Sequence, residues 1–129
     1  MKHFDDNFAH NSLPSIDLQP TYLQGKYETE MLNCVERLLD THIQNGHGNA
    51  PCLRTFEETW TYQDLYEKAN QIAHVLIDDL GLQSGNRVLL RSANNPMMVA
   101  CWFAVLKAGG IVVATMPLLR SKELTTIID

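Results

Sequence analysis

The stretch that most constrains the fold is residues 87–115, where a short apolar strand, a nearly all-apolar helix and a second strand follow without interruption. Arg87–Arg91 centres on Val88-Leu89-Leu90. Asn94 or Asn95 then stands where a helix cap is needed, and Pro96 falls in the first turn, where a missing N–H costs nothing. Val99 to Ala108 is apolar almost all round, the pattern of a helix buried on several sides. Gly109-Gly110 stops that helix. Ile111-Val112-Val113-Ala114-Thr115 is a continuous β-branched run, which marks a strand covered on both faces of a parallel sheet. Two parallel strands joined by one helix form a right-handed β-α-β unit. Such a unit cannot cover both faces of its own sheet. The fold class is therefore α/β, a partial three-layer α/β domain that starts at residue 31 and is incomplete at Asp129.

Upstream, residues 1–30 mix Pro14, Pro20, Gly25 and isolated aromatics, which sustains no period and reads as an irregular N-terminal arm. A helix follows, with Asn33 and Glu36 spaced as a capping box and Met31, Val35, Leu38, Leu39 and His42 on one face. Gly46 and Gly48 end it. Cys52–Thr55 and Thr59–Thr61 predict a small hairpin around Phe56-Glu57-Glu58. Thr61 caps a longer helix with Asp64 at its third position. The buried stripe of that helix is Leu65, Ala69, Ile72, Ala73, Leu76 and Leu80, and Gly81 ends it. After the second parallel strand come Pro117 and a last helix capped by Ser121.

A net charge of −5 leaves no electrostatic footprint for nucleic acid or an anionic membrane. No apolar run reaches the ~18–20 residues that cross a bilayer, and the acidic start Asp5-Asp6 does not suit a signal peptide. Cys34, Cys52 and Cys101 read as buried, reduced thiols of a cytoplasmic protein. His42, His47 and Cys52 lack a fourth ligand at metal spacing, so zinc is not expected. His74 reads as structural or partly exposed, and Trp60 and Trp102 as core. Asp78-Asp79, adjacent on a helix, point in different directions and do not make a carboxylate pair.

Chemistry in an open α/β sheet gathers at the carboxyl ends of the strands, here the turns at residues 92–95 and 116–121. Arg120 precedes a helix start, where backbone amides favour an anion, which makes it the one candidate for a phosphate contact. Gly109-Gly110 follows a helix and precedes a strand, the reverse of a phosphate-binding loop. No catalytic or metal-ligating residue emerges from the chain.

Several ordered segments nevertheless carry a resemblance. Thr59-Trp60-Thr61-Tyr62-Gln63-Asp64-Leu65, Asn70-Gln71-Ile72-Ala73, Gly81-Leu82, Gly85-Asn86-Arg87-Val88 and Ala104-Val105-Leu106-Lys107-Ala108-Gly109-Gly110 resemble, in that order, the beginning of adenylate-forming acyl-CoA synthetases. The runs Leu90 to Met98 and Val113 to Arg120 look most like 2-aminobenzoate-CoA and benzoate-CoA ligases. Met116 stands where many members have Asn, and Asn86 where they have Asp. The resemblance implies an ATP-, magnesium- and CoA-dependent ligase. An aromatic carboxylate forms an acyl-adenylate, and the CoA thiol then displaces AMP. It also implies that the phosphate loop, nucleotide contacts, acyl pocket and mobile C-terminal domain come later. The chain is then catalytically incomplete alone and holds no cofactor tightly, with Arg120 near the path of CoA. Such a fragment, exposing apolar surface where the rest of the sheet would dock, is expected either to self-associate or to keep a strained, partly open sheet edge. The alternative is a free-standing binding or interaction module built on the same fold.

Overall fold

The computed structural model describes residues 11–18 and 33–128. The chain divides into two units, residues 1–33 and 34–129. Of the first, the described part includes one 3-10 turn at Ile16–Leu18. The rest of the expected arm, and Met31, lie outside the described residues.

In the second unit a helix runs over residues 34–44. It contains a π-type turn at Glu36–Asp40 and closes with α1, Thr41–Gln44. The wider turn breaks the 3.6-residue period. Val35 and Leu39 are fully buried, while Leu38, expected on the same face, is 54% exposed. The hairpin forms as expected, with β1 at Pro51–Arg54 and β2 at Thr59–Thr61. The strands are antiparallel, with a bulge between Pro51 and Leu53. Thr55 Oγ accepts from the backbone N–H groups of Glu57 and Glu58 and closes the turn. Trp60 packs against the core, half-buried, with its indole N–H donating to Glu58 at 2.8 Å.

Helix α2, Tyr62–His74, opens with the expected capping box. Thr61 Oγ accepts the Asp64 N–H at 3.1 Å, and Asp64 Oδ2 accepts the Thr61 N–H at 2.8 Å. Leu65, Ala69 and Ala73 are buried, with Ile72 and Leu76 packed around them. A second π-type turn, Val75–Asp79, then rotates the stripe away, so Leu80 is 71% exposed rather than buried. Gly81, at φ 66°, ends the helix.

The parallel unit is as expected: β3 is Arg87–Arg91, α3 is Pro96–Lys107 and β4 is Ile111–Thr115. Asn95, rather than Asn94, is the cap, accepting the Met98 N–H at 2.8 Å. At the far end the Gly109 N–H bonds the Leu106 carbonyl and the Gly110 N–H bonds the Val105 carbonyl, a Schellman closure with Gly109 at φ 76°. Helix α3 packs on the strand pair and against α2. The core is built from Val35, Leu39, Leu65, Ala69, Ala100 and Ala104, the small side chains letting α2 and α3 approach closely.

Coverage of the sheet is incomplete. Along β3, Arg87, Leu89 and Arg91 are exposed and alternate with half-buried Val88 and Leu90. In β4, Ala114 is exposed. The apolar run of β4 therefore reads as a strand with cover on both faces, but only α3 covers the pair among the described elements. The last helix, α4, is Ser121–Ile128.

Two smaller expectations are corrected. Cys34 is exposed, and Cys52 and Cys101 are half-buried, so none is a core thiol. Partial burial pushes the Cys52 thiol pKa up. Trp102 is half-buried, edge-on to Phe103 with ring centroids 5.3 Å apart.

Candidate functional site at the sheet edge

Because β3 and β4 run parallel with Arg91 beside Thr115, their carboxyl ends open at one edge. The chain leaving β3 reaches the Asn95 cap in a few residues, and the chain leaving β4 turns at Pro117. Between them lies an open hollow of about 470 Å³, lined by Ser92, Asn94, Met98, Thr115, Met116 and Pro117 among others. Its walls offer small polar groups and methionine side chains, a surface suited to holding a neutral or apolar group. Thr115 Oγ donates to the Leu90 carbonyl at 3.4 Å, a long bond between the two strand ends.

Arg120 lies on the turn that leaves this hollow and is exposed. It also occupies the cap position of α4 that the sequence assigns to Ser121. The Arg120 N–H donates to Glu123 Oε2 at 3.0 Å, and its carbonyl accepts the Leu124 N–H at 3.0 Å. The acidic side chain thus completes the helix start from within, half of a capping box. Glu123 already bonds the Arg120 N–H, so that amide is not open to an incoming anion.

A residue not singled out in the sequence organises this edge. Arg91, the last residue of β3, uses one guanidinium nitrogen, Nη2, to donate to the Pro117 carbonyl at 2.7 Å and the Leu119 carbonyl at 2.8 Å. Its partners lie 26 and 28 residues along the chain. No local pattern marks that pairing.

Two further hollows lie elsewhere. One, of about 250 Å³, is lined by Leu53, Thr55, Asn95 and Val99 between the hairpin and the start of α3. The other, of about 400 Å³, is lined by Glu58, Trp60, Asp64 and Lys68. Histidine chemistry is not gathered at any of them. His42 stacks on Tyr62 at 4.2 Å, and His74 faces Asp78 at 3.4 Å in solvent. Among the described residues no three His, Cys, Asp or Glu are grouped as metal ligands, and no helix is long and apolar enough to cross a membrane.

A family profile described as AMP-binding enzyme matches residues 40–129. The long-chain-fatty-acid–CoA ligase of Salmonella typhimurium is 32% identical over 83 residues, covering 64% of this chain and 15% of that protein. A crystal structure of the anthranilate CoA ligase AuaEII in complex with anthranoyl-AMP superposes with a TM-score of 0.63 and 27% identity, over 70% of this chain and 18% of that one. Apo MatB from Rhodopseudomonas palustris superposes with a TM-score of 0.68 and 25% identity, over 74% and 19%. Curated relatives of this kind are far longer, the chain spanning between 2% and 15% of their length.

Proposed function

We propose, since this chain belongs to the AMP-binding enzyme family, that it forms the opening part of an aryl-CoA ligase. In the reaction a carboxylate oxygen attacks the α-phosphorus of ATP and releases pyrophosphate. The CoA thiol then attacks the acyl carbon of the adenylate and expels AMP. Magnesium would stabilise charge on the phosphates. Among the described residues no three His, Cys, Asp or Glu are grouped, and no adenylation step is assigned to them.

The observation that carries the reading is the in-register β3-α3-β4 unit with its hollow at the carboxyl edge. Preference for an aromatic acid rests on local sequence, Asn94-Asn95-Pro96 and Thr115-Met116-Pro117, and is supported by the likeness to the anthranilate ligase. MatB is as similar in shape, which makes the aromatic substrate the finer part of the proposal.

Arg120 is assigned to a phosphate of CoA. Its exposed guanidinium stands one turn beyond the hollow with no hydrogen-bond or ion-pair partner among the described residues. The experiment is 2-aminobenzoate-dependent exchange of pyrophosphate into ATP by the full-length protein, followed by CoA titration of Arg120→Ala. Exchange supports the ligase reading. A KM for CoA raised about tenfold supports the contact, the size expected for one exposed charge-assisted bond. An unchanged KM removes Arg120 from the site, and absence of exchange with any aromatic acid removes the aryl specificity.

The isolated 129-residue chain is expected to be inactive and to self-associate, because Leu89 and Ala114 leave apolar sheet surface exposed. Sedimentation giving a monomer at high concentration would contradict the second expectation, and turnover by this chain alone the first.

A further inference from the structure

We infer that Arg91 is a positioning residue that sets the turn at residues 116–120 and, through it, the approach of CoA to the sheet edge; the CoA part rests on the function proposed above. Arg120 is tied to α4 through Glu123 and Leu124, but residues 116–119 have little else to hold them. Pro117 has no N–H to donate, and the one backbone bond within the turn, from the Leu119 N–H to the Met116 carbonyl, is long at 3.2 Å. Packing contributes little, since Met116 is 65% and Leu118 82% exposed. Two carbonyls two residues apart instead converge on one guanidinium nitrogen from the neighbouring strand. A cation meets both lone-pair sets at once, and a planar guanidinium fixes their direction as a neutral donor would not.

The placement explains how distant parts of the chain meet. Arg91 pairs in register with Thr115, so its side chain needs only to reach past the end of β4. There it holds Pro117, which lines the hollow, and Leu119, which precedes Arg120. Without these bonds the strand ends remain paired, but the wall of the hollow and the guanidinium of Arg120 lose their fixed relation. Arg91 itself need not touch a substrate.

The test uses the full-length protein carrying Arg91→Met, which keeps an apolar stem and removes the donors, and Arg91→Lys, which restores one cation. Amide hydrogen exchange is read for residues 116 and 118–120 and, as an internal control, for residues 97–107. In R91M the turn should exchange at least tenfold faster while α3 is unchanged. The KM for CoA should rise at least fivefold, with carboxylate-dependent ATP–pyrophosphate exchange within twofold of the parent, and R91K should lie between. An unchanged turn, an unchanged KM for CoA, or an equal loss of both half-reactions would each overturn the inference. If the parent protein shows no carboxylate-dependent exchange, the ligase reading fails by itself, and protection of the turn still decides whether Arg91 holds it.

Discussion

At Asp64 one carboxylate oxygen accepts both the Thr61 N–H at 2.8 Å and the Thr61 hydroxyl at 2.7 Å. The backbone bond and then the hydroxyl bond hold the Asp64 carboxyl below its ordinary pKa. A folded-state pKa lower than the unfolded one means stability that is complete above the ordinary aspartate range and is lost as pH falls through the lower, folded value. Thermal melts from neutral to strongly acidic pH should therefore show a loss in the parent that Asp64→Asn lacks, because the variant carries no charge to protonate; parallel curves would dismiss the cap as the source. Gly110 makes a different demand, for space. A Cβ there would sit 3.0 Å from Val105 Cγ1 and 3.3 Å from both the Asn86 carbonyl and Leu82 Cδ2. Val105 is 1% exposed and its branched side chain cannot swing aside. Gly110→Ala should cost about 1–3 kcal/mol as an overpacking change, read as a shift in urea midpoint. A midpoint within error of the parent would mean that the helix–strand junction yields. The glycine pair therefore stops the helix, as its sequence position indicates, and its second member also permits close approach of three segments.

Among elements, the two π-type turns explain where periodicity misleads. A helix read at 3.6 residues per turn puts Leu38 with Leu39 and continues the α2 stripe to Leu80. The turns at Glu36–Asp40 and Val75–Asp79 insert a wider step, so Leu38 inside the first and Leu80 just past the second fall off the face the 3.6-residue period assigns them. Leu39→Ala should therefore cost about 2–5 kcal/mol, the range for emptying a fully buried leucine site. Leu38→Ala should stay within about 0.5 kcal/mol. Equal effects in chemical denaturation would show that the expected face, not the observed one, is buried. Features set by neighbours in sequence were legible: the Thr61–Asp64 box, Asn95 before Pro96, the Gly109 stop and the β-branched run of β4. Each depends on a local backbone conformation or a short period. Leu38, Leu80 and the cap at Arg120 were not, because a π turn and a carboxylate reaching back from Glu123 are choices among locally similar alternatives. The hollow was legible only as an edge, since Arg91 and the carbonyls it gathers are brought together by strand pairing.

For the second unit as a whole, the decisive long-range contact is at Lys107. Its ammonium lies 2.7 Å from Asp40 Oδ1 near α1, donates to Asn70 Oδ1 on α2 at 2.9 Å, and sits 4.2 Å from the centre of the Tyr66 ring. One side chain at the end of α3 thereby ties three helical segments beside the core. The pair is only partly open to water, with the Lys107 and Asp40 side chains 13% and 27% exposed. Asp40 Oδ1 has no other hydrogen-bond partner. Removing the cation strands that oxygen, whereas removing both charges does not. This asymmetry separates an ion pair that organises packing from one that merely decorates it. Lys107→Met should destabilise by about 2 kcal/mol, below the fully buried case because water still reaches Asp40. Adding Asp40→Leu should recover part of the loss, giving a double mutant less destabilised than the sum of the singles by about 1 kcal/mol. Urea unfolding of the four proteins measures that coupling. Strict additivity would place the stabilisation in the Tyr66 and Asn70 contacts alone, leaving the segment around Asp40 held only by the packing of Val35 and Leu39.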